Sequence, residues 1–392
     1  MITKISRGGA AVSSGPIDDM FAALSRRPDV ISFAVGAPDP ALLPGELVAS
    51  LTADAFAEYG NSMLQYGSTR GFPPLLDKAQ TLLAGRGVTC SPDQLHIATG
   101  GSGALHNVCM ALLDPGAVVL VETPTYGPAM KVFRSHGAIV VGVESDAYGI
   151  RPEALDAALA QHNTAFVYLL PTFQNPTGRT MPTERRRQVS EVIIRHGVMV
   201  VEDDVYVELR YRGEPVPAFW ASAPHNTVYI TSLSKTLAPA LRIGIAAMPL
   251  DLLDHVLALK QGIDMQTSTF NQAIAATFLG SATGAAHVTR TVESYALKLA
   301  TLTTALGKYL PPGFSWSEPE GGMFVWIEGP GDFDADALIV PALDAGVAFL
   351  PGATFYADAD APRNGIRLSF ANVPNSEIDS GIELLAALCK AS

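Results

Sequence analysis

The sequence predicts an α/β fold, a mostly parallel sheet wrapped by helices, followed by a smaller α+β unit. Three observations carry this. From about residue 100 to 250, short β-branched apolar runs alternate with helical stretches. The conspicuous polar motifs fall just after those runs, at the strand ends where ligands gather in parallel sheets. Pro311-Pro312-Gly313 then marks a boundary before a last region of shorter strands.

Composition narrows the function. A chain of 392 residues exceeds one simple core and suits a large domain with a smaller one. Hydrophobic residues make up 48%, yet charges interrupt every long apolar run, so no membrane span is expected. The first residues lack the apolar stretch of a secretory signal, which predicts a cytoplasmic location. A net charge of −12 disfavours nucleic acid, whose phosphates require a basic face. Three cysteines, Cys90, Cys109 and Cys389, form no CxxC pattern and read as small core hydrophobes. The histidines show no ligand spacing, so no metal is expected.

Taken in order, the chain opens with a helical apolar patch at Ile17, Met20, Phe21 and Leu24. Residues 31–35 read as a strand running into a tight turn at Gly36-Ala37-Pro38. Tyr66 lies in a glycine-rich turn ahead of a helix beginning at Pro73. Gly101, Ser102 and Gly103 form a small-residue turn before a helix over 103–113, and free amides at such a helix start cradle an anion. Strands are predicted over 118–122, 139–143, 165–170, 198–202, 228–231 and 243–248, with helices over 127–136, 152–161 and 183–196. The basic run Arg185-Arg186-Arg187 reads as a solvated helix face.

Tyr126 follows the first of these strands, and Asn175-Pro176-Thr177-Gly178 makes a tight turn after the third. Asp203, Asp204 and Tyr206 follow the fourth, the two carboxylates being rivals for one role. Ser232-Leu233-Ser234-Lys235 follows the fifth, with Arg242 seven residues beyond the lysine. A lysine just past a buried strand loses hydration, which lowers its pKa and frees the amine to attack a carbonyl. The neighbouring hydroxyls and a planar guanidinium suit a phosphate. Helices over 251–262, 268–279 and 284–308 lead to a glycine turn at Gly321-Gly322 before Phe324, and then to Arg367 within an apolar strand. An arginine there is costly unless an anion pairs with it. The bland alternatives are a turn at Gly36, a turn-ordering tyrosine at Tyr66 and a structural salt bridge at Arg367.

In this order the motifs resemble the fold-type I pyridoxal-phosphate-dependent aminotransferases, the aspartate aminotransferase superfamily. The texture is similar to the 2-aminoadipate and kynurenine aminotransferases. The resemblance spans the chain from about residue 30. It implies a large domain over residues 46–290, with a mostly parallel seven-stranded sheet wrapped by helices, and a small α+β domain built from both chain ends, 1–45 and 291–392. It implies pyridoxal 5'-phosphate as a Schiff base on Lys235, with Asp203 at the ring nitrogen and Tyr206 and Asn175 on the phenolic oxygen. Tyr126 would stack on the ring. Gly101, Ser102, Gly103, Ser232, Ser234 and Arg242 would hold the phosphate, joined across a homodimer by Tyr66. Arg367 would grip the substrate carboxylate, with Gly36 and Asn175 beside it, while an amino acid and a 2-keto acid exchange an amino group.

Elimination, decarboxylation or oxidation of an amino acid would use the same residues. Relatives of this family also serve as effector domains of transcriptional regulators, but this chain has too few residues and too little positive charge for a DNA-binding domain as well. Relatives acting on acidic side chains carry an arginine in the N-terminal helix, where this chain has Asp18 and Asp19. Those residues would either face water or meet a cationic amino acid side chain.

Overall fold

The structure, a computed structural model, describes residues 5–11, 16–358 and 360–391. Its centre is a sheet ordered Leu95–Thr99, Ile243–Ala247, Thr227–Ser232, Met199–Asp203, Thr164–Leu169, Val118–Thr123, Ile139–Asp146 and Gly149–Ile150. Four neighbouring pairs are parallel, and Ile243–Ala247 runs antiparallel to both of its neighbours. Six of these strands fall on the ranges read from the sequence, and Leu95–Thr99, which that reading left out, completes the seven that the resemblance implies. The eighth, Gly149–Ile150, is a two-residue hairpin partner at the edge, too short to give a pattern of its own.

Strands covered on both faces read as continuous apolar runs, which is why they were legible. Thr227–Ser232 is buried along its whole length. The helices carry their own punctuation. Pro73 and Pro152 open two of them, and Gly197, at φ 64°, closes Thr183–His196 in the left-handed conformation.

A second, antiparallel sheet is ordered Ser315–Trp316, Phe324–Glu328, Gly365–Ser369 and Leu350–Pro351. The N-terminal strand Ile31–Ser32 pairs with Val347–Ala348, and the Ser369 amide donates to the Phe33 carbonyl at 2.8 Å. Both chain ends therefore feed one core, which includes Phe33, Tyr295, Phe324, Phe349 and Leu368. The helix Ala282–Tyr309 is continuous through residue 290; Val288 packs on the core beside the large sheet, whereas Tyr295 to Leu306 face the second core. Among the described residues, no helix is long and apolar enough to cross a membrane.

One expectation is corrected. Arg187 is exposed and pairs with Glu184 and Glu191, but Arg186 is 1% exposed. Its guanidinium donates to the carbonyls of Met181, Pro171 and Pro217, each at 2.9 Å, and to Thr172 Oγ1 at 3.0 Å. Two connections, one between Leu169 and Thr183 and one between Asp203 and Phe219, turn carbonyls onto this one cation, so a residue that reads as solvated ties them together.

Candidate active site

The parallel strands ending at Thr99, Thr123, Leu169, Asp203 and Ser232 share a direction, and Arg242 precedes a strand of the opposite sense. All the motif segments consequently emerge at one edge of the sheet. There they line a cavity of about 400 Å³, together with residues from the small sheet.

At one end lie Gly101, Ser102, Ser232, Ser234 and Arg242. The Ser232 and Ser234 hydroxyls are 2.9 Å apart, and Ser232 also donates to the Ile243 carbonyl at 2.9 Å. Arg242 adopts φ 53°, the left-handed region, as the chain reverses after the turn Pro239–Leu241. Its guanidinium lies over Gly100, where an added Cβ would sit 2.3 Å from Nη2. Gly100 itself has φ 76°, so both conformation and space demand glycine there. The GG pair at the strand end was the available signal, but sequence reasoning placed the weight on Gly101.

Lys235 projects from the loop after Thr227–Ser232, with Nζ donating to the Gly36 carbonyl at 3.3 Å. Burial, reinforced by Arg242 and Arg367, lowers its amine to about 8 against a partial offset from Asp203. Asp203 ends its strand facing the cavity, and Oδ2 accepts the Tyr168 hydroxyl at 2.7 Å. Oδ1 is buried and has no partner. Burial raises this carboxyl to about 6, with the Tyr168 hydrogen bond and Lys235 opposing the rise.

Asp204 points to the other face, as strand alternation requires. Its Oδ2 accepts the Tyr229 hydroxyl at 2.8 Å, and that hydroxyl in turn meets Arg86 Nη1 at 3.0 Å. Of the two rival carboxylates, only Asp203 lines the cavity.

Tyr126, Asn175 and Tyr206 line the middle, with the Tyr206 ring edge-on to Phe324 at 5.5 Å. Arg367 closes the far end, 4% exposed. It donates from Nη1 to Asn175 Oδ1 at 3.2 Å and from Nη2 to the Ala34 carbonyl at 2.5 Å, while Nε has no partner. The rings of Phe324 and Phe355 lie 4.5 and 5.1 Å from its guanidinium carbon. Burial lowers it to about 10, and the groups that oppose this are Tyr206 and Tyr126 rather than carboxylates.

Two expected residues do not reach this cavity. Gly103 lies further along the helix Gly100–Leu112, and a Cβ there would meet Thr99 at 3.5 Å. Tyr66 is 75% exposed. Asp18 is paired with Lys131 at 2.7 Å and does not line the cavity; the Asp19 side chain lies outside the described residues. Sequence reasoning also missed Phe21, Leu350 and Phe355 as lining residues, because an apolar side chain beside a site looks like any core residue.

Residues 28–385 match the family model for aminotransferase class I and II. The chain belongs to this family. An aromatic-amino-acid aminotransferase of Thermococcus litoralis is 34% identical over 92% of this chain and 88% of its own length. A 2-aminoadipate transaminase of Thermus thermophilus is 32% identical over 98% and 96%. Among solved structures, an α-aminoadipate aminotransferase from Thermus thermophilus, complexed with N-(5'-phosphopyridoxyl)-L-leucine, superposes with a TM-score of 0.90 at 31% identity, covering 99% of this chain and 97% of that one.

The protein is thus an aminotransferase, and its cofactor is pyridoxal phosphate. The residues present fit that group. An unpartnered carboxylate oxygen at Asp203 matches a protonated ring nitrogen, and the lowered Lys235 amine suits an aldehyde. The glycine and serine turn beside Arg242 suits a phosphate. When bound, the cofactor supplies an aldehyde that condenses with amines and a ring that withdraws electrons from the substrate α-carbon.

Proposed function

We propose that this aminotransferase moves an amino group from an α-amino acid to a 2-keto acid with Lys235 as both anchor and proton carrier. The observation that carries the assignment is one cavity holding an amine lowered to about 8 and a buried guanidinium, Arg367, without a carboxylate partner. Arg367 would take the substrate carboxylate through its free edge, with Asn175 and the Gly36 backbone holding the approach. That fixes the α-carbon near Lys235 Nζ, which takes the α-proton as base and returns it as acid. Asp203 keeps its charge against the ring nitrogen because Tyr168 holds it in place. Tyr206 and Asn175 would donate to the phenolic oxygen, Tyr126 would cover the ring, and Gly101, Ser102, Ser232, Ser234 and Arg242 would retain the phosphate.

The exposure of Tyr66 supports a homodimer in which it reaches the neighbouring site. Leu64, Ile263 and Met265 are exposed nearby, on segments joined by the Gly67 to Gln266 hydrogen bond, and they form the apolar surface a partner would cover. The two separate cores support a division into domains at residues 46 and 290, with Ala282–Tyr309 as a shared spine. Three free cysteines, all buried, support a cytoplasmic setting.

The test supplies purified enzyme with a donor amino acid and an acceptor keto acid. A keto acid from the donor should appear mole for mole with a new amino acid from the acceptor. Release of ammonia, carbon dioxide or peroxide in its place would assign elimination, decarboxylation or oxidation.

A further inference from the structure

We infer that the substrate side chain is apolar and that Phe21 sets this preference, an inference that rests on the transamination reading above. Among the described residues, the charged groups lining the cavity are Asp203, Lys235, Arg242 and Arg367. Each is already engaged, by the ring nitrogen, the aldehyde, the phosphate and the substrate carboxylate. Beyond these charges and the polar groups of Tyr126, Asn175 and Tyr206, the described lining offers a side chain the hydrocarbon of Phe21, Val35, Leu350 and Phe355.

Contacts of Leu350, of Phe355 and of the helix that carries Phe21 place these elements along one wall. Leu350 is the cross-strand partner of Arg367. The Phe355 ring lies 5.1 Å from the Arg367 guanidinium carbon. Met20, next to Phe21, is buried in one cluster with Leu350 and Phe355. The helix Pro16–Leu24 is thereby seated on the cavity wall, and the Asp18 to Lys131 ion pair ties it to the helix Gly127–Ser135.

Phe21 is nevertheless 39% exposed. A phenyl ring left partly uncovered at a cavity mouth, on a helix whose neighbouring side chain is fully packed, presents apolar surface that a ligand can complete. A charged side chain entering there would lose water and gain no partner among the described residues, whereas an aromatic or branched aliphatic one would bury area against Phe21, Val35, Leu350 and Phe355. Asp18, the described carboxylate of this helix, is held by Lys131 and lies off the cavity, so it offers no seat for a cationic group.

The experiment uses the holoenzyme and its Phe21→Ala and Phe21→Leu variants. Wild type should prefer phenylalanine, leucine and methionine over glutamate, aspartate, arginine and ornithine as donors. Phe21→Ala should lower the phenylalanine-to-alanine ratio of kcat/KM by roughly 10- to 100-fold, chiefly through KM, and Phe21→Leu should restore part of it. Calorimetric binding of 3-phenylpropanoate, which has the ring and the carboxylate but no amine, should weaken in Phe21→Ala by a similar factor, with glutarate binding poorly to all three proteins. A wild-type preference for acidic or cationic donors would overturn the inference while leaving transamination intact. An unchanged phenylalanine-to-alanine ratio in Phe21→Ala would remove Phe21 from the specificity role. Failure of every donor to yield a keto acid would instead overturn the transamination reading itself.

Discussion

Replacing Arg367 with methionine separates the carboxylate-binding role from a structural one, because the two make opposite predictions for stability and turnover. The guanidinium is 4% exposed, makes two hydrogen bonds to neutral acceptors and leaves Nε unpartnered. Each charge-assisted hydrogen bond contributes about 1.5–3 kcal/mol. Holding an unpaired cation out of water costs several kcal/mol in the opposite direction. These nearly cancel, so the variant should keep its thermal midpoint to within a few degrees.

Turnover should not survive in the same way. Losing one member of a buried charge pair costs about 2–5 kcal/mol, equivalent to a fall in kcat/KM of about 30- to 5000-fold. Stopped-flow measurement of the cofactor absorbance change, with an amino acid and with the matching amine that lacks a carboxylate, reads this directly. Wild type should discriminate strongly between the two, and Arg367→Met hardly at all, as a coupled pair requires. A collapse in thermal midpoint with kcat/KM per folded molecule within about tenfold of wild type would mark a structural ion pair and refute the assignment.

Lys235→Ala should abolish turnover and the absorbance band of a cofactor joined to the lysine as a Schiff base. Only the neutral amine attacks an aldehyde, so capture of pyridoxal phosphate by cofactor-free protein should climb about tenfold per pH unit below its pKa of about 8 and level off above it; a rate still climbing at pH 10 would contradict the lowered amine. Asp203→Asn keeps the shape but not the charge, and should cut kcat by about 10²- to 10³-fold, the scale of losing a preorganised electrostatic partner. Asp204→Ala strips the acceptor from Tyr229 and should destabilise by about 1–3 kcal/mol in denaturant unfolding while sparing turnover of the folded fraction. The reverse pattern for the two aspartates would exchange their roles. Gly244→Ala would bring a Cβ to 2.4 Å from the Gly100 backbone, so the cradle and the strand must separate; a loss of about 1–3 kcal/mol with weakened cofactor retention is expected in thermal unfolding and dialysis.

The motif residues were legible because their chemistry and their position are both local. An apolar run declares a strand, and the polar residues just beyond it must lie at that strand's end, as Lys235, Asp203, Asn175 and Tyr126 do. Arg367 could be singled out by the same reasoning, since a guanidinium inside an apolar strand calls for an anion. The eighth strand, only two residues long, carries no periodicity and was invisible.

What the amino-acid order alone determined is which groups stand at the sheet's edge, because that depends on neighbours a few residues away. Tertiary structure decided where their partners come from. Asp203 is separated from Asp204 by which face of one strand meets the cavity. Arg186 escapes water because carbonyls from Pro171, Met181 and Pro217 converge on it. Phe21 and Leu350 share a wall although more than 300 residues of chain lie between them. Burial of this kind is a property of distant segments meeting, and no pattern along a single stretch encodes it.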